Sequence, residues 1–268
     1  MSTADGRAAA IAAAFTQARR TAQPLPSFPG DLPATRADAY AAQDAAIASW
    51  PARLVGWKVA GVAPEFRERF GAPRLAGPAF APRLYQADGS AVRFSIFPGG
   101  FAAVEAEFIL RVGADIDAAD AADEDRLAEK VSALHGGAEI AGSPFADINR
   151  LGPLSVVSDF GNNGGLILGD AIANWRERPL ESLKSRTSVN GAVVGEGDAS
   201  RVAGGPLAAL GFLVTALAER GRRLRAGDLV STGMTTGIHP VTIGDEVLIE
   251  FSEGRPIRAV AIAETPTA

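Results

Sequence analysis

The stretch Val104-Glu105-Ala106-Glu107-Phe108-Ile109-Leu110-Arg111-Val112 decides how this chain is read. Val104, Ala106, Phe108, Leu110 and Val112 recur at a period of two, which predicts a strand with one face on a core. Glu105 and Glu107 then share the other face. Two carboxylates held that close in a low dielectric repel unless a cation lies between them. A hard divalent ion such as Mg²⁺ or Mn²⁺, which prefers oxygen ligands, is one solution. The plainer alternative is an acidic strand face in water, as on many antiparallel strands. Two other segments favour the first: a third acid, Glu139, in Ala138-Glu139-Ile140-Ala141, and a lysine in an apolar run, Lys58 in Gly56-Trp57-Lys58-Val59.

Working outward, residues 3–20 predict a first helix, followed by a Pro-rich link at 23–29. A second helix is expected from Thr35, with Thr35 and Asp38 as a capping box and Pro51 as its stop. Its apolar positions are read as Ala37, Tyr40, Ala41, Ile47 and Ala48, with Asp44 interrupting the stripe. From Leu54 onward, short apolar runs are punctuated by Gly and Pro, the pattern of strands and turns. The expected organisation is a helical cap over residues 1–52 packed on a β-rich body over 53–268, together one structural domain, in the α+β class without βαβ regularity. Two further helices are predicted. Residues 123–135 carry Leu127, Val131 and Leu134, with Gly136-Gly137 as the stop; residues 206–220 carry Leu207, Leu210, Val214 and Leu217, closed by Gly221. Strands are expected at 166–168, 188–194 (with Asn190-Gly191 as a hairpin turn), 229–231, 246–251 and 257–263, the last two forming a hairpin.

The chain's 268 residues are 47% apolar and 21% charged, enough for a sizeable core, with a net charge of −5. There is no basic stripe with interleaved aromatics, so nucleic acid is not an expected partner. Cysteine is absent, which removes disulfides, thiolate metal sites and a Cys nucleophile. The Ala-rich start reads as a soluble helix, and no stretch has the length of a membrane span, so a soluble, cytoplasmic protein is expected. Lysine occurs only at 58, 130 and 184, arginine supplying the other 23 of 26 positive charges. A chain that uses Arg for solvation can keep Lys where a titratable amine is needed, though a bias toward Arg codons gives the same count.

Lys58 has two readings, a snorkelling side chain at a strand end or a catalytic amine whose pKa burial lowers. Glu139 is expected just after a helix stop, paired with a metal or an Arg. His135 is read as a helix-end cation favoured by the dipole, and His239 as a loop residue able to line a pocket. Two isolated histidines build neither a His metal cluster nor a Ser-His-Asp triad, and no Gly-x-Ser-x-Gly elbow occurs. Residues 161–165 and 231–237 are Gly-flexed loops rich in Asn amides and hydroxyls, suited to an anionic ligand or to a bulged turn.

These pieces, in this order, resemble the 2-oxopent-4-enoate hydratase and 4-oxalocrotonate decarboxylase group of the fumarylacetoacetate hydrolase superfamily. The resemblance runs through residues 38–44, Gly56-Trp57-Lys58-Val59, Val104-Glu105-Ala106-Glu107, the Glu139 segment, Ser158-Asp159-Phe160-Gly161-Asn162-Asn163 and Thr232-Gly233-Met234-Thr235-Thr236-Gly237-Ile238-His239-Pro240-Val241. It implies a rolled, mixed β-sandwich with short helices around it. It also implies Mg²⁺ or Mn²⁺ on Glu105, Glu107 and Glu139, Lys58 as the proton shuttle, and Asn162, Thr235 and Thr236 as substrate contacts. The expected activity is hydration of a small 2-hydroxydienoic acid in a homo-oligomer. Decarboxylation of an oxalocrotonate-type acid, or dehydration of a sugar-derived 2-oxo acid, is the alternative on this scaffold. A non-catalytic keto-acid binder or partner subunit is the alternative of another class. One departure bears on the choice: hydratases of the group often carry an acid where Pro78-Ala79-Phe80 has Ala79. No His occurs in the N-terminal helices, which disfavours C–C hydrolysis.

Overall fold

In the computed structural model, which describes residues 3–267, two helices, α1 (Thr3–Thr21) and α2 (Arg36–Ser49), lead into strand β1 (Leu54–Gly61). A short helix α3 (Pro64–Phe70) and strands β2 (Arg74–Phe80), β3 (Leu84–Gln86), β4 (Val92–Ile96) and β5 (Phe101–Val112) follow. Next come α4 (Glu124–Lys130), β6 (Val131–Ser143), α5 (Pro153–Ser158), β7 (Asn163–Ala171), β8 (Lys184–Val189) and β9 (Ala192–Asp198). The chain ends through α6 (Gly205–Ala218), β10 (Leu229–Met234), β11 (His239–Pro240), β12 (Glu246–Phe251) and β13 (Ile257–Ala263). The α+β class and the mixed sandwich are therefore as expected.

The larger sheet runs β2-β1-β10-β5-β6-β7-β3, with β11 added beside β5. Ala79 on β2 and Leu166 and Leu168 on β7, far apart in that order, share one buried cluster with Val55, Ile109 and Leu229. The sheet therefore rolls on itself, with this face inside. Its outer face is covered twice. Val104, Ala106, Ile140 and Ile167 pack against the five-stranded sheet β4-β13-β12-β8-β9 through Phe94, Val247, Ile249 and Ile257. Trp57, Phe108, Leu110 and Val230 pack against Leu210, Leu213 and Leu217 of α6. Each Val, Leu, Ile or Phe among them, taken from water to full burial, contributes roughly 1.5–3 kcal/mol.

Several sequence expectations change. The helix at 123–135 stops at Lys130, and Val131 onward is strand β6, paired along its length with β5. Leu127, Val131 and Leu134 fit helical spacing, but β5 needs a ladder partner along its whole edge, and that tertiary demand wins. Gly136-Gly137 is consequently no helix stop. A Cβ at Gly136 would lie 2.7 Å from the Phe251 ring, and one at Gly137 would lie 2.5 Å from Ile109, so these glycines mark close approach within a strand. His135 is then a strand residue, its Nδ1 2.9 Å from the Gly169 carbonyl and its pKa lowered by burial. Glu139 lies in the middle of β6, not at the start of a short strand.

The second helix has the predicted capping box but a different buried face, Ala39, Tyr40, Ala42, Gln43 and Ala46, with Ala37, Ala41 and Ala48 exposed. Alanine on every side gives little contrast to set the phase of a stripe. Asp44 interrupts nothing; it holds Arg220 at 2.7 Å and Arg222 at 2.9 Å. The helices at the start of the chain also pack into the body. Ile11, Phe15 and Tyr40 share a cluster with Leu75, Phe145 and Val157, while Gln43 donates to the carbonyls of Ala76 and Val157 at 3.0 Å each.

Candidate metal centre

The predicted acids come together inside the roll. Glu105 on β5 is the register partner of Glu139 on β6, Glu107 partners Gly137, and Lys58 on β1 is opposite Ser231 on β10. All four charged side chains are buried, Lys58 at 3% exposure, Glu105 at 5%, and Glu107 and Glu139 at 0%. The solvated reading of the strand's acidic face and the snorkelling reading of Lys58 both fail on these values.

Glu107 and Glu139 are each only partly satisfied by protein. Glu107 Oε2 accepts from the Ser231 hydroxyl at 2.5 Å and from the Gly233 N–H at 2.9 Å, while Oε1 has no partner among the described residues. Gly233 reaches it because β10 shifts register between Ser231 and Met234, a bulge that turns a backbone N–H toward the acid. Glu139 Oε1 accepts from Asn163 Nδ2 at 3.1 Å and meets Lys58 Nζ at 3.1 Å, leaving Oε2 without a partner. One oxygen from each of Glu105, Glu107 and Glu139 lies within 4.8 Å of the others.

Three carboxylates and one ammonium leave two negative charges when all are ionised. Burial, and then the repulsion of Glu139, pushes Glu105 up to about 8. Burial, Glu139 and Glu105 hold Glu107 well above the ordinary carboxylate range, and burial raises Glu139 against the pull of Lys58. The direction expected for Lys58 is reversed. Burial does work to lower its pKa, but Glu139, Glu105 and Glu107 outweigh it, so the group is held above its ordinary value as an ammonium. Oxygen-only donors, unpartnered lone pairs and a residual charge of minus two fit a hard divalent cation and no softer group.

Lys58 and Glu105 line a cavity of about 150 Å³ together with Asn149, Asn162, Phe66 and Val156, and Met234 and Ile238 stand at its edge. Its size suits a small acid rather than a drug-sized ligand. Asn162 is brought there by a backbone φ of 62°, with its amide 3.3 Å from Asn149 Oδ1 and its own Oδ1 buried and unpartnered. Thr235 and Thr236 are placed elsewhere. The Thr235 hydroxyl bonds the Ala106 carbonyl at 2.9 Å and Ser185 at 2.6 Å; that of Thr236 bonds Thr187 at 2.8 Å. They anchor the 234–238 segment to β5 and β8. His239 lies near Thr236, 3.2 Å away through Nε2, outside the cavity lining. Phe66, Asn149 and Val156 escape sequence reasoning, because α3, α5 and the turn between β6 and α5 carry no local pattern that points at a site. Asn163 and Ser231 lie in the two loops singled out for an anionic ligand, yet both serve carboxylates of the chain itself.

No family model matches the chain. Two curated 4-oxalocrotonate decarboxylases, from a Pseudomonas strain and from Pseudomonas putida, are each 34% identical to it over 98 residues. That stretch covers 37% of this chain and 37% of each relative, so it spans little more than a third of their length. The solved 4-oxalocrotonate decarboxylase of Pseudomonas putida, complexed with calcium and acetate, superposes with a TM-score of 0.82 at 22% identity, over 96% of this chain and 98% of that one. The fumarylpyruvate hydrolase of Pseudomonas aeruginosa, in complex with Mn²⁺ and pyruvate, gives a TM-score of 0.56 at 19% identity, over 80% and 91% of the two chains. The resemblance read from the sequence is thus borne out: over that stretch in sequence, and over nearly all its described length in fold, the chain is similar to 4-oxalocrotonate decarboxylases.

Proposed function

We propose that Glu105, Glu107 and Glu139 hold a divalent cation, Mg²⁺ or Mn²⁺, and that the protein is a lyase acting on a small 2-oxo acid. The observation that carries this is the set of three buried carboxylates, two of them with an oxygen that no donor among the described residues claims, gathered beside the Lys58 ammonium next to a small cavity that Lys58 and Glu105 line. Bound there, such a cation would supply Lewis-acid chemistry toward a 2-oxo acid. Lys58 holds a proton at Nζ on the cavity wall, where it can be delivered to a carbon that gains electron density. Asn162 contacts the substrate through its amide. Thr235 and Thr236 act at one remove, fixing the segment that carries Gly233 and Met234.

Between the chemistries expected, loss of CO₂ is favoured over addition of water. Beyond Lys58 and the ligand Glu105, the cavity offers two Asn amides and apolar side chains, and none of these takes a proton from water. Ala79, at the position where an acid was sought, faces the same interior among Val55, Ile109 and Leu229. A departing carboxylate against an apolar wall is stripped of hydration that its neutral product does not need. The 4-oxalocrotonate decarboxylases to which the chain is similar support a 2-oxo dicarboxylate as substrate.

The deciding experiment supplies Mn²⁺-loaded protein with 2-oxohex-3-enedioate and, separately, with 2-hydroxypenta-2,4-dienoate. CO₂ release from the first with no consumption of the second establishes decarboxylation. Loss of dienol absorbance from the second establishes hydration. Metal binding with neither reaction leaves a keto-acid binder.

A further inference from the structure

We propose that Arg19, on the first helix, is a positioning residue for the carboxylate site and acts on it through Asn163; the inference rests on reading that site as a metal centre. Arg19 is 7% exposed, and its guanidinium is committed in three directions. Nε donates to Asp159 Oδ1 at 2.5 Å, Nη1 to the Asn163 carbonyl at 3.0 Å, and Nη2 to the Gly142 carbonyl at 2.9 Å. The plane also lies over the Phe160 ring, 5.1 Å from its centroid.

These partners bracket an unusual turn. Phe160, Gly161 and Asn162 have successive φ values of 52°, 65° and 62°, three left-handed residues in a row of which two are not glycine. Such backbone is disfavoured for L-residues and persists where its surroundings over-determine it. Arg19 bonds the residue before the turn and the residue after it. The turn in its place aims Asn162 into the cavity and sets the Asn163 amide on Glu139. Asn163 is therefore gripped at both ends, its carbonyl by Arg19 and its amide nitrogen by the candidate ligand.

Gly142 adds a second tie. The β6–β7 ladder slips register between Ile140 and Ala141, one residue past Glu139, and Arg19 joins the Gly142 and Asn163 carbonyls across that irregularity. A lysine keeps the charge but has no planar fork to hold several acceptors at once. A side chain from the first helix of the chain thus sets a ligand's outer partner.

The test compares wild type, Arg19→Lys, Asn163→Ala and the double variant for Mn²⁺ binding, read as free ion by electron paramagnetic resonance at fixed pH, with thermal melts alongside. Loss of an outer partner of a metal ligand lowers affinity by about 10–100-fold, and that range is expected for each single variant. The double variant is expected to bind no more weakly than Asn163→Ala alone, because both act through one bond. In metal-free protein, the Asn163 side-chain amide is expected to exchange with solvent faster in Arg19→Lys than in wild type. Wild-type Mn²⁺ affinity and an unchanged Asn163 amide in Arg19→Lys overturn the proposal even if the melt falls, as do additive losses in the double variant. If wild type binds no Mn²⁺, the metal reading fails by itself, and the amide exchange alone then decides whether Arg19 positions Asn163.

Discussion

Glu105 and Glu139 are direct register partners across β5 and β6, two carboxylates opposed on neighbouring antiparallel strands and both buried. Opposed Cβ atoms lie only about 5 Å apart in such a pair, and like charges there destabilise the sheet. The arrangement is stable when a cation lies between them or when protons neutralise them, and metal-dependent melting and its pH dependence separate those two states.

Adding Mg²⁺ or Mn²⁺ should raise the melting temperature. A ligand that binds only the folded state stabilises it by about 2.7 kcal/mol at 100 times its Kd. Glu107→Gln should abolish the rise, since it removes a ligand charge while keeping the shape. A metal titration followed by calorimetry checks this; melts in wild type that ignore metal count against the centre.

The pH dependence of the metal-free protein should run opposite to that of the loaded one. Glu105 is raised from 4.5 to about 8 in the folded state, so that state binds the proton more tightly than the unfolded chain does. Its contribution is fully present below pH 4.5 and is lost as pH rises through about 8, and the raised Glu107 and Glu139 act in the same direction. Metal-free protein should therefore lose stability from pH 5 to 8. Metal affinity should climb over that window, with proton release on binding. Denaturant titrations at several pH values, with and without Mn²⁺, read both trends.

Lys58→Met should retain metal and lose turnover by a factor of about 10² or more, the scale of a positioned proton donor. Metal-free, the variant leaves Glu139 without its ammonium, and breaking a buried pair costs roughly 3–5 kcal/mol. The loss should be larger at pH 8 than at pH 5, where the acids take up protons. Comparable turnover in the variant would remove Lys58 from the chemistry.

Gly77→Ala should damage the site from a distance. A Cβ there would lie 2.1 Å from the Phe160 carbonyl, so the left-handed turn or strand β2 must move. Overpacking of this kind costs about 1–3 kcal/mol, and a shifted turn should also weaken Mn²⁺ binding. Gly6→Ala on α1, with no described atom within 4 Å of the added carbon, serves as the control and should stabilise slightly.

What could be read ahead of the structure was local. The Glu105–Glu107 alternation, the Thr35–Asp38 capping box and the Asn190-Gly191 turn each depend on neighbours in sequence, and each appears as predicted. The end of α4 did not, because Val131 and Leu134 suit both periods and only the edge of β5 decides between them. The raised pKa of Lys58 was illegible for a similar reason: burial of a lysine is a local inference, whereas the three acids around it come from strands 47 or more residues away. The roles of Ser231 and Gly233 depend on a bulge in β10, which its composition does not announce.

The placement of β1 between β2 and β10 has a consequence for synthesis. Gly56 and Lys58 pair in parallel with Leu229 and Ser231, partners 173 residues later (229 − 56). Contacts of such separation form late and slowly, after the loop-closure entropy has been met. Until a ribosome has delivered β10, the roll stays open, and Lys58 has no fixed position against the acids of β5 and β6. Cation capture should then mark completion of folding rather than nucleate it, so a nascent chain arrested before residue 229 should have no more affinity for Mn²⁺ than an unfolded peptide.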